Sequence, residues 1–505
     1  MPDPLPGSTL DRLLGLLSSG SREDLFRVSE SLVEVAAADV RAQLSDPEDL
    51  SRQMREHRQS TIVRVADLAT RSCSRRVDEL QATALNRGTP PGQPSLCFNP
   101  NDLDSSYIER LGHLTLERVL VHAAAPEIQL TPLPVELLPA TQRRMIVAII
   151  FDYPLAIGHE LYPLWTDAFA TGPIAGRSIE VIGVHRSWLN DACQAIRTII
   201  YDAASDVFHE GPQPSPATFD AAILLALGPV AHRDISQRLL NAGIPHINSY
   251  VAAAEIADDK WACFERWHEA GVNTPPTCLL EQATDRSTAR VCVTEFMRRC
   301  DRQDDGWFVQ PRHGTEAGGV EYVPASDIVV EQILAAHARI APTDDAILRP
   351  RVGRLRLLES EELRTFDLRL HTCRCDGRTR AESGYLICAQ SADEPVVAVS
   401  RGAGILRLDR LEDSGLVSED GRGETINWST QARSEACDMA ARATQVLDLD
   451  LAGVDLKFDV MEGRIQPVVL DVNPRPAGLL HADLIDTQPL EPGVGATLWH
   501  RMAGA

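Results

Sequence analysis

The spacing of hydrophobic positions changes along this chain, and the changes mark its parts. Leu10, Leu13, Leu14 and Leu17 recur at intervals of three and four, as do Leu25, Val28, Leu32, Val35 and Ala36, and then Ile62, Val65 and Leu68. This spacing puts an apolar stripe on a helix, so residues 1 to about 88 are expected to be helical. Thr89-Pro-Pro-Gly-Gln-Pro-Ser95 breaks the stripe and reads as a loop or linker. From Cys97 to Thr141 the pattern is mixed, with a helix near Ser105–Leu111 and Pro-broken extended pieces after it.

At Arg144 short unbroken apolar runs take over. Met145–Phe151, Ser178–Val184 and Asp220–Leu227 read as buried strands, and Ile244–Asn248 as a shorter fourth. Helical stretches such as Ile235–Ala242, stopped by Gly243, lie between them. Alternating strands and helices predict a parallel, doubly wound α/β sheet. The first strand is followed by Asp152-Tyr-Pro-Leu-Ala-Ile-Gly158 and not by a GxGxxG turn, so a dinucleotide site is not expected. A helix then runs to Gly271, a good C′ residue, from Asn248 or Ser249 as N-cap. Trp307–Pro311 predicts a strand, Gly314–Gly319 a glycine-rich loop, and Val320 the start of a return strand. Asp367 and Arg369 share one face of a further strand, with Phe366, Leu368 and Leu370 on the other. Tyr385–Ala389 and Val396–Val399 read as strands, and residues 430–447 as a helix. A hairpin turning at Met461-Glu-Gly-Arg464 closes the series.

The 505 residues are too many for one core, so two to four domains are expected. Apolar content of 44% and charged content of 24% are those of an ordinary globular protein. The net charge of -23 argues against a nucleic-acid or anionic-membrane partner. The cysteines form no CxxC pair and no zinc spacing, which suits free thiols in a reducing cytoplasm. The opening Met-Pro-Asp-Pro-Leu-Pro-Gly has no basic or apolar signal region, so no signal peptide is expected. The longest apolar run, Met145–Phe151, is too short to cross a bilayer.

The chemistry concentrates in Pro467-Val-Val-Leu-Asp471-Val-Asn473-Pro-Arg475-Pro-Ala-Gly478. Asp471 and Asn473 are two apart, so on a strand they face one way. Two hard oxygen ligands suit Mg²⁺, and Arg475 would bring a cationic fork to the same phosphates. This stretch resembles the C-terminal metal motif of the ATP-grasp superfamily. Upstream, Asp259-Lys260 … Ala-Gly271-Val-Asn-Thr-Pro-Pro-Thr277, the Gly314–Gly319 loop, Asp367-Leu-Arg369 and Gly453-Val-Asp455 resemble other parts of that family, in its order.

The resemblance covers about residues 244 to 480 and implies three parts. Residues 1–142 would be a mainly helical region of unknown role, and 143–250 a small doubly wound domain preceding the nucleotide fold. Residues 251–505 would form a two-lobed ATP-grasp domain of α+β type, its flap-bearing smaller lobe at about 272–350. It implies ATP and Mg²⁺ as cofactors, with Asp455, Asp471 and Asn473 on the metal. Lys260, Gln310, His313, Gly314, Thr315, Gly318, Gly319 and Leu348 would bind the nucleotide, Leu348 at the adenine hinge. The family usually has lysine at the position of Gln310; Arg312 or His313 could compensate. Arg369 and Arg475 would grip the transferring phosphoryl group, and Arg401 and Gly402 would line the acceptor pocket. The implied activity is ligation of a small carboxylate, an amino acid or peptide, to an amine through an acyl phosphate, with ADP released. A thiol or ammonia acceptor, or a nucleotide-binding module without turnover, are the alternatives. Dimers are common among such ligases, and the helical N-terminal residues could supply the interface.

Overall fold

The computed structural model describes residues 22–44, 58–87, 111–112, 115, 119, 130–132, 144–151, 160–202, 207–225, 227–300, 306–314, 317–359, 362–419, 425–486 and 493–504. The chain divides into two units, one of 1–131 with 153–158 and 202–209, the other of 132–152, 159–201 and 210–505. The helix expected over 10–17, the loop 89–95 and most of 97–141 lie outside the described residues.

In the first unit, helices α1 (Arg22–Gln43) and α2 (Arg58–Arg87) realise the three-and-four spacing. Val28, Leu32, Ala36 and Val40 of α1 and Val65, Ala69, Val77 and Leu80 of α2 are buried. Beside them Asp39 takes a fork from Arg76, at 2.8 and 2.7 Å.

The second unit opens with β1 (Arg144–Phe151), α3 (Tyr162–Thr171), β2 (Ser178–His185), β3 (Ala195–Asp202), β4 (Ala221–Leu224) and α4 (Pro229–Asn241). Both β2 and β4 run parallel to β1, as the strand–helix alternation predicts. The sheet is nevertheless mixed, because β3 pairs antiparallel with β2 through Gly183 and Ile199. The cause is local. Asn190 Oδ1 accepts from Ala192 N at 3.1 Å and Gln194 N at 2.8 Å, and Cys193 takes φ +55°, so the chain reverses within a turn. A parallel neighbour needs a crossover segment, which 186–194 is too short to supply. The expected strand Ile244–Asn248 shrinks to one bridge, Ala222 with His246, beside Pro245, which has no N–H to donate.

The helix expected from Asn248 to Gly271 is two helices, α5 (Val251–Ala257) and α6 (Lys260–Glu269). Asp259 divides them. Its backbone is extended and its Oδ1 accepts from Trp261 N and Ala262 N at 3.0 and 3.1 Å, capping α6. Gly271 has φ +66°, as a C′ glycine should.

Three antiparallel sheets follow among the described residues, one of them built on Leu355–Glu359 and Leu416–Ser418; the other two carry the site. The smaller contains β5 (Cys278–Leu280), β6 (Trp307–Pro311), β7 (Glu321–Val323) and β8 (Ala346–Pro350), in the order β5–β8–β6–β7. Helices α7 (Arg286–Arg299) and α8 (Val329–Ile340) lie on one face, where Val293, Trp307, Val309, Ile333 and Leu348 share a core. The larger contains β9 (Phe366–Cys375), β10 (Arg378–Cys388), β11 (Leu451–Met461) and β12 (Arg464–Asn473), in the order β10–β9–β11–β12. Helix α9 (Thr430–Val446) buries Ala432, Ala436, Ala440 and Ala443 in the core that this sheet shares. Alanines three and four residues apart fall on one face and let a helix approach a sheet closely. The hairpin from β11 to β12 turns through Glu462 and Gly463, with φ +52° and +75°. Val396–Val399 is not a strand; Val399–Arg401 is a 3₁₀ turn, and Gly404–Leu406 pairs with β10 instead.

Candidate active site

The larger sheet brings three charged residues abreast. Register pairs Arg369 on β9 with Asp455 on β11, and Asp455 with Asp471 on β12. Directly opposed residues of antiparallel strands share a face. Arg369 holds Asp455 as a fork, Nε to Oδ1 and Nη2 to Oδ2, both 2.7 Å. Its Nη1 donates to Tyr385 Oη at 3.3 Å, and Tyr385 donates to Ala477 O at 3.1 Å. Beyond Asp471 the register slips, because Leu456 pairs with Val469 and Leu470 is left over as a bulge.

Lys260, 8% exposed at the start of α6, lies 3.8 Å from Asp471 Oδ2 and donates to Gly314 O. Asn473 pairs with Gly453, and its Oδ1 accepts from Arg475 N at 3.0 Å, which sets the turn into Pro474. Arg475 is ion-paired through Nη2 to Asp258, while its Nη1 is buried without a hydrogen-bond partner. Burial raises the Asp258 carboxyl against the pull of Arg475. The structure therefore brings Lys260, Asp471, Asn473, Arg475, Asp455 and Arg369 into one neighbourhood.

Other expected residues sit differently. Leu348 is in the smaller sheet's core and cannot face a purine; alternation along β8 puts Ile347 and Arg349 on the other face. Arg312 is taken by Asp259 and Asp345, so it does not make up for the charge missing at Gln310. His313 Nδ1 donates to Asp344 Oδ1, 3.0 Å away, and its Nε2 is 3.7 Å from Asp259. Gln310 pairs with Ile347 and is half-buried. Gly314 and Gly318 lie in the loop between β6 and β7, and a Cβ on Gly319 would come within 2.9 Å of Pro311. Thr315 is outside the described residues. The Arg401 side chain donates to Val320 O at 2.6 Å and Ala317 O at 3.3 Å, so it holds the far end of that loop and not a substrate carboxylate. Gly402, at φ +89°, terminates the 3₁₀ turn.

Sequence reasoning missed four residues of the site. Asn248 joins β11 to Pro474, and Arg349 joins β8 to α6 and β12. Glu160 accepts from Gly478 N and Leu479 N, and burial pushes its carboxyl up to about 8. His371, beside Arg369, is lowered to about 3 by burial and that guanidinium, so it is neutral. Of these only Arg349 gave a sequence signal, as an arginine inside an apolar hinge.

No protein-family model matches this chain, and no curated protein does. Among solved structures it is similar to D-alanyl-alanine synthetase A of Vibrio cholerae, at 14% identity and TM-score 0.41, over 66% of this chain and 90% of that one. It is similar to a D-cycloserine synthetase at 16% identity and TM-score 0.41, over 71% and 98% of the two chains. The VanG D-Ala:D-Ser ligase of Enterococcus faecalis gives 13% identity and TM-score 0.40, over 66% and 91%. Each of the three is named as a synthetase or a ligase.

Among the described residues no helix is long and apolar enough to cross a membrane. No group of three His, Cys, Asp or Glu side chains there has the arrangement of a metal site; the site above offers two acids and an amide.

Proposed function

We propose that this chain is an ATP-dependent ligase that activates a small carboxylate as an acyl phosphate and joins it to an amine, releasing ADP and phosphate. The observation that carries this reading is the row Arg369–Asp455–Asp471 across three strands, with Lys260 3.8 Å from its last member. Phosphoryl transfer asks a protein for positioned charge and little else. Lys260 would orient the phosphates. Arg369 and Arg475 would bind the developing acyl phosphate; Arg475 Nη1, buried and unpartnered, is a donor in want of an acceptor. The glycine loop would exclude water, which otherwise destroys the intermediate.

Asp455, Asp471 and Asn473 fit Mg²⁺ as hard oxygen donors on neighbouring strands. Asp471 is the more open of the two acids, its side chain 40% exposed, whereas both oxygens of Asp455 accept from Arg369. A bound Mg²⁺ would supply neutralisation of phosphate charge. The free thiols of all described cysteines support a reducing, cytoplasmic setting. The substrates of this reading are an amino acid or small peptide and a small amine.

The test is ADP release on pairs of amino acids, with hydroxylamine added to trap an acyl phosphate as hydroxamate. The wild-type protein should release ADP and form hydroxamate with one acid class. Asn473→Ala and Arg369→Lys should release none at unchanged far-UV spectrum. Full release by either variant refutes the assignment.

A further inference from the structure

Arg349 is 5% exposed, yet each of its hydrogen-bond partners is neutral. Nε donates to Thr277 Oγ1 at 3.0 Å, Nη1 to Leu470 O at 2.9 Å and Nη2 to Lys260 O at 3.3 Å. Among the described residues no carboxylate is in ion-pair contact with it; the acid whose charge acts on it is Asp471. A buried charge without a counter-ion is unfavourable and needs a reason.

Register supplies one. Ile347 pairs with Gln310 and Arg349 with Phe308, so these four share the face of the smaller sheet opposite its core. That face points at α6 and β12, because Arg349 reaches the carbonyls of Lys260 and Leu470. Gln310 brings no charge to it. Arg349 does, one diagonal step away.

We propose that Arg349 is a positioning residue for nucleotide phosphates. Its buried charge supplies the cation that Gln310 does not, and its two bonds to main-chain carbonyls fix the chain beside Lys260 and Asp471. This rests on the reading of the neighbourhood as an ATP site.

The experiment is calorimetric titration of the full chain with ATP and Mg²⁺, with thermal midpoints recorded alongside. Arg349→Gln removes the charge and keeps some hydrogen bonding; it should raise the Kd for ATP about tenfold or more. Adding Gln310→Lys to it should recover most of that loss, and should help that background by a larger factor than it helps the wild type. Arg349→Lys keeps the charge without the fork and should stay within about threefold of wild type. The inference is overturned if Arg349→Gln binds as wild type does, or if Gln310→Lys helps both backgrounds by one factor. Should Arg349→Gln not fold, a tenfold loss in Arg349→Lys overturns it equally, and retained affinity supports it. A wild-type chain that binds no ATP overturns the proposed function and this inference together, whereas equal binding by wild type and variants overturns the inference alone.

Discussion

Replacing Asn248 by alanine should unfasten the site without touching a group that reacts. Asn248 is 3% exposed and sits at φ +55°. Its Nδ2 donates to Leu451 O at 2.8 Å and Pro474 O at 2.6 Å, and its Oδ1 accepts from Asp450 N at 2.7 Å and Leu451 N at 3.1 Å. Alanine leaves four buried backbone groups unpaired, at about 1 kcal/mol each. Alanine in the left-handed region adds about 1 kcal/mol, for a sum of about 5 kcal/mol, a third or more of ordinary domain stability. Asn248→Gly loses the same bonds but not the backbone strain, so it should be about 1 kcal/mol more stable than Asn248→Ala. Urea unfolding followed by tryptophan fluorescence and far-UV circular dichroism measures both. Pro474 adjoins Arg475, so ADP release should fall by more than the folded fraction falls. A loss under about 1 kcal/mol in Asn248→Ala, or no advantage for glycine, refutes the account of Asn248 as the tie between β11 and the arginine turn.

Glu160 predicts a pH dependence. Its folded-state value of about 8 lies above the ordinary carboxyl value, so the folded chain holds a proton that the unfolded chain has lost; stability should fall by about 1.4 kcal/mol per pH unit from about 4.5 to 8, and Glu160→Gln should flatten that slope. An unchanged slope in Glu160→Gln removes Glu160 as its source. Gly384→Ala would drive a Cβ into the carbonyl oxygen of Arg369 on the paired strand, and should lower stability by about 2–3 kcal/mol in a thermal melt; an unshifted melt would contradict the strand spacing. Asp455→Asn breaks the fork to Arg369 and replaces a carboxylate by a neutral amide, a weaker ligand for Mg²⁺. It should bind metal-free ATP more tightly than wild type and gain about tenfold less from added Mg²⁺; the same Mg²⁺ response in both proteins would exclude Asp455 from the metal set.

What the sequence disclosed depended on whether a residue's role is set by near or by far neighbours. Period-two alternation placed Asp367 with Arg369, and Asp471 with Asn473, because an apolar core on one side of a strand fixes both faces. Alternation does not say which face is the core. Leu348 and Arg349 on β8 read equally well either way, and the question is decided by α7 and α8, whose apolar residues claim Leu348. Asn248 has the chemistry of a helix cap, but Asp450 and Leu451, some two hundred positions on, outbid the local helix for its side chain. The bulge at Leu470 was equally hidden, since nothing in Val-Val-Leu-Asp marks a skipped partner. These long-range decisions also resolve a puzzle of composition. A chain of net charge -23 has to hold a polyanion if the proposed function is right. In the site three acids are each matched by a base, Asp455 by Arg369, Asp471 by Lys260 and Asp258 by Arg475, and the fourth, Glu160, is held neutral by burial. The acids thus cancel locally, and Arg349, with no acid of its own, leaves the neighbourhood with a surplus positive charge that the overall balance conceals.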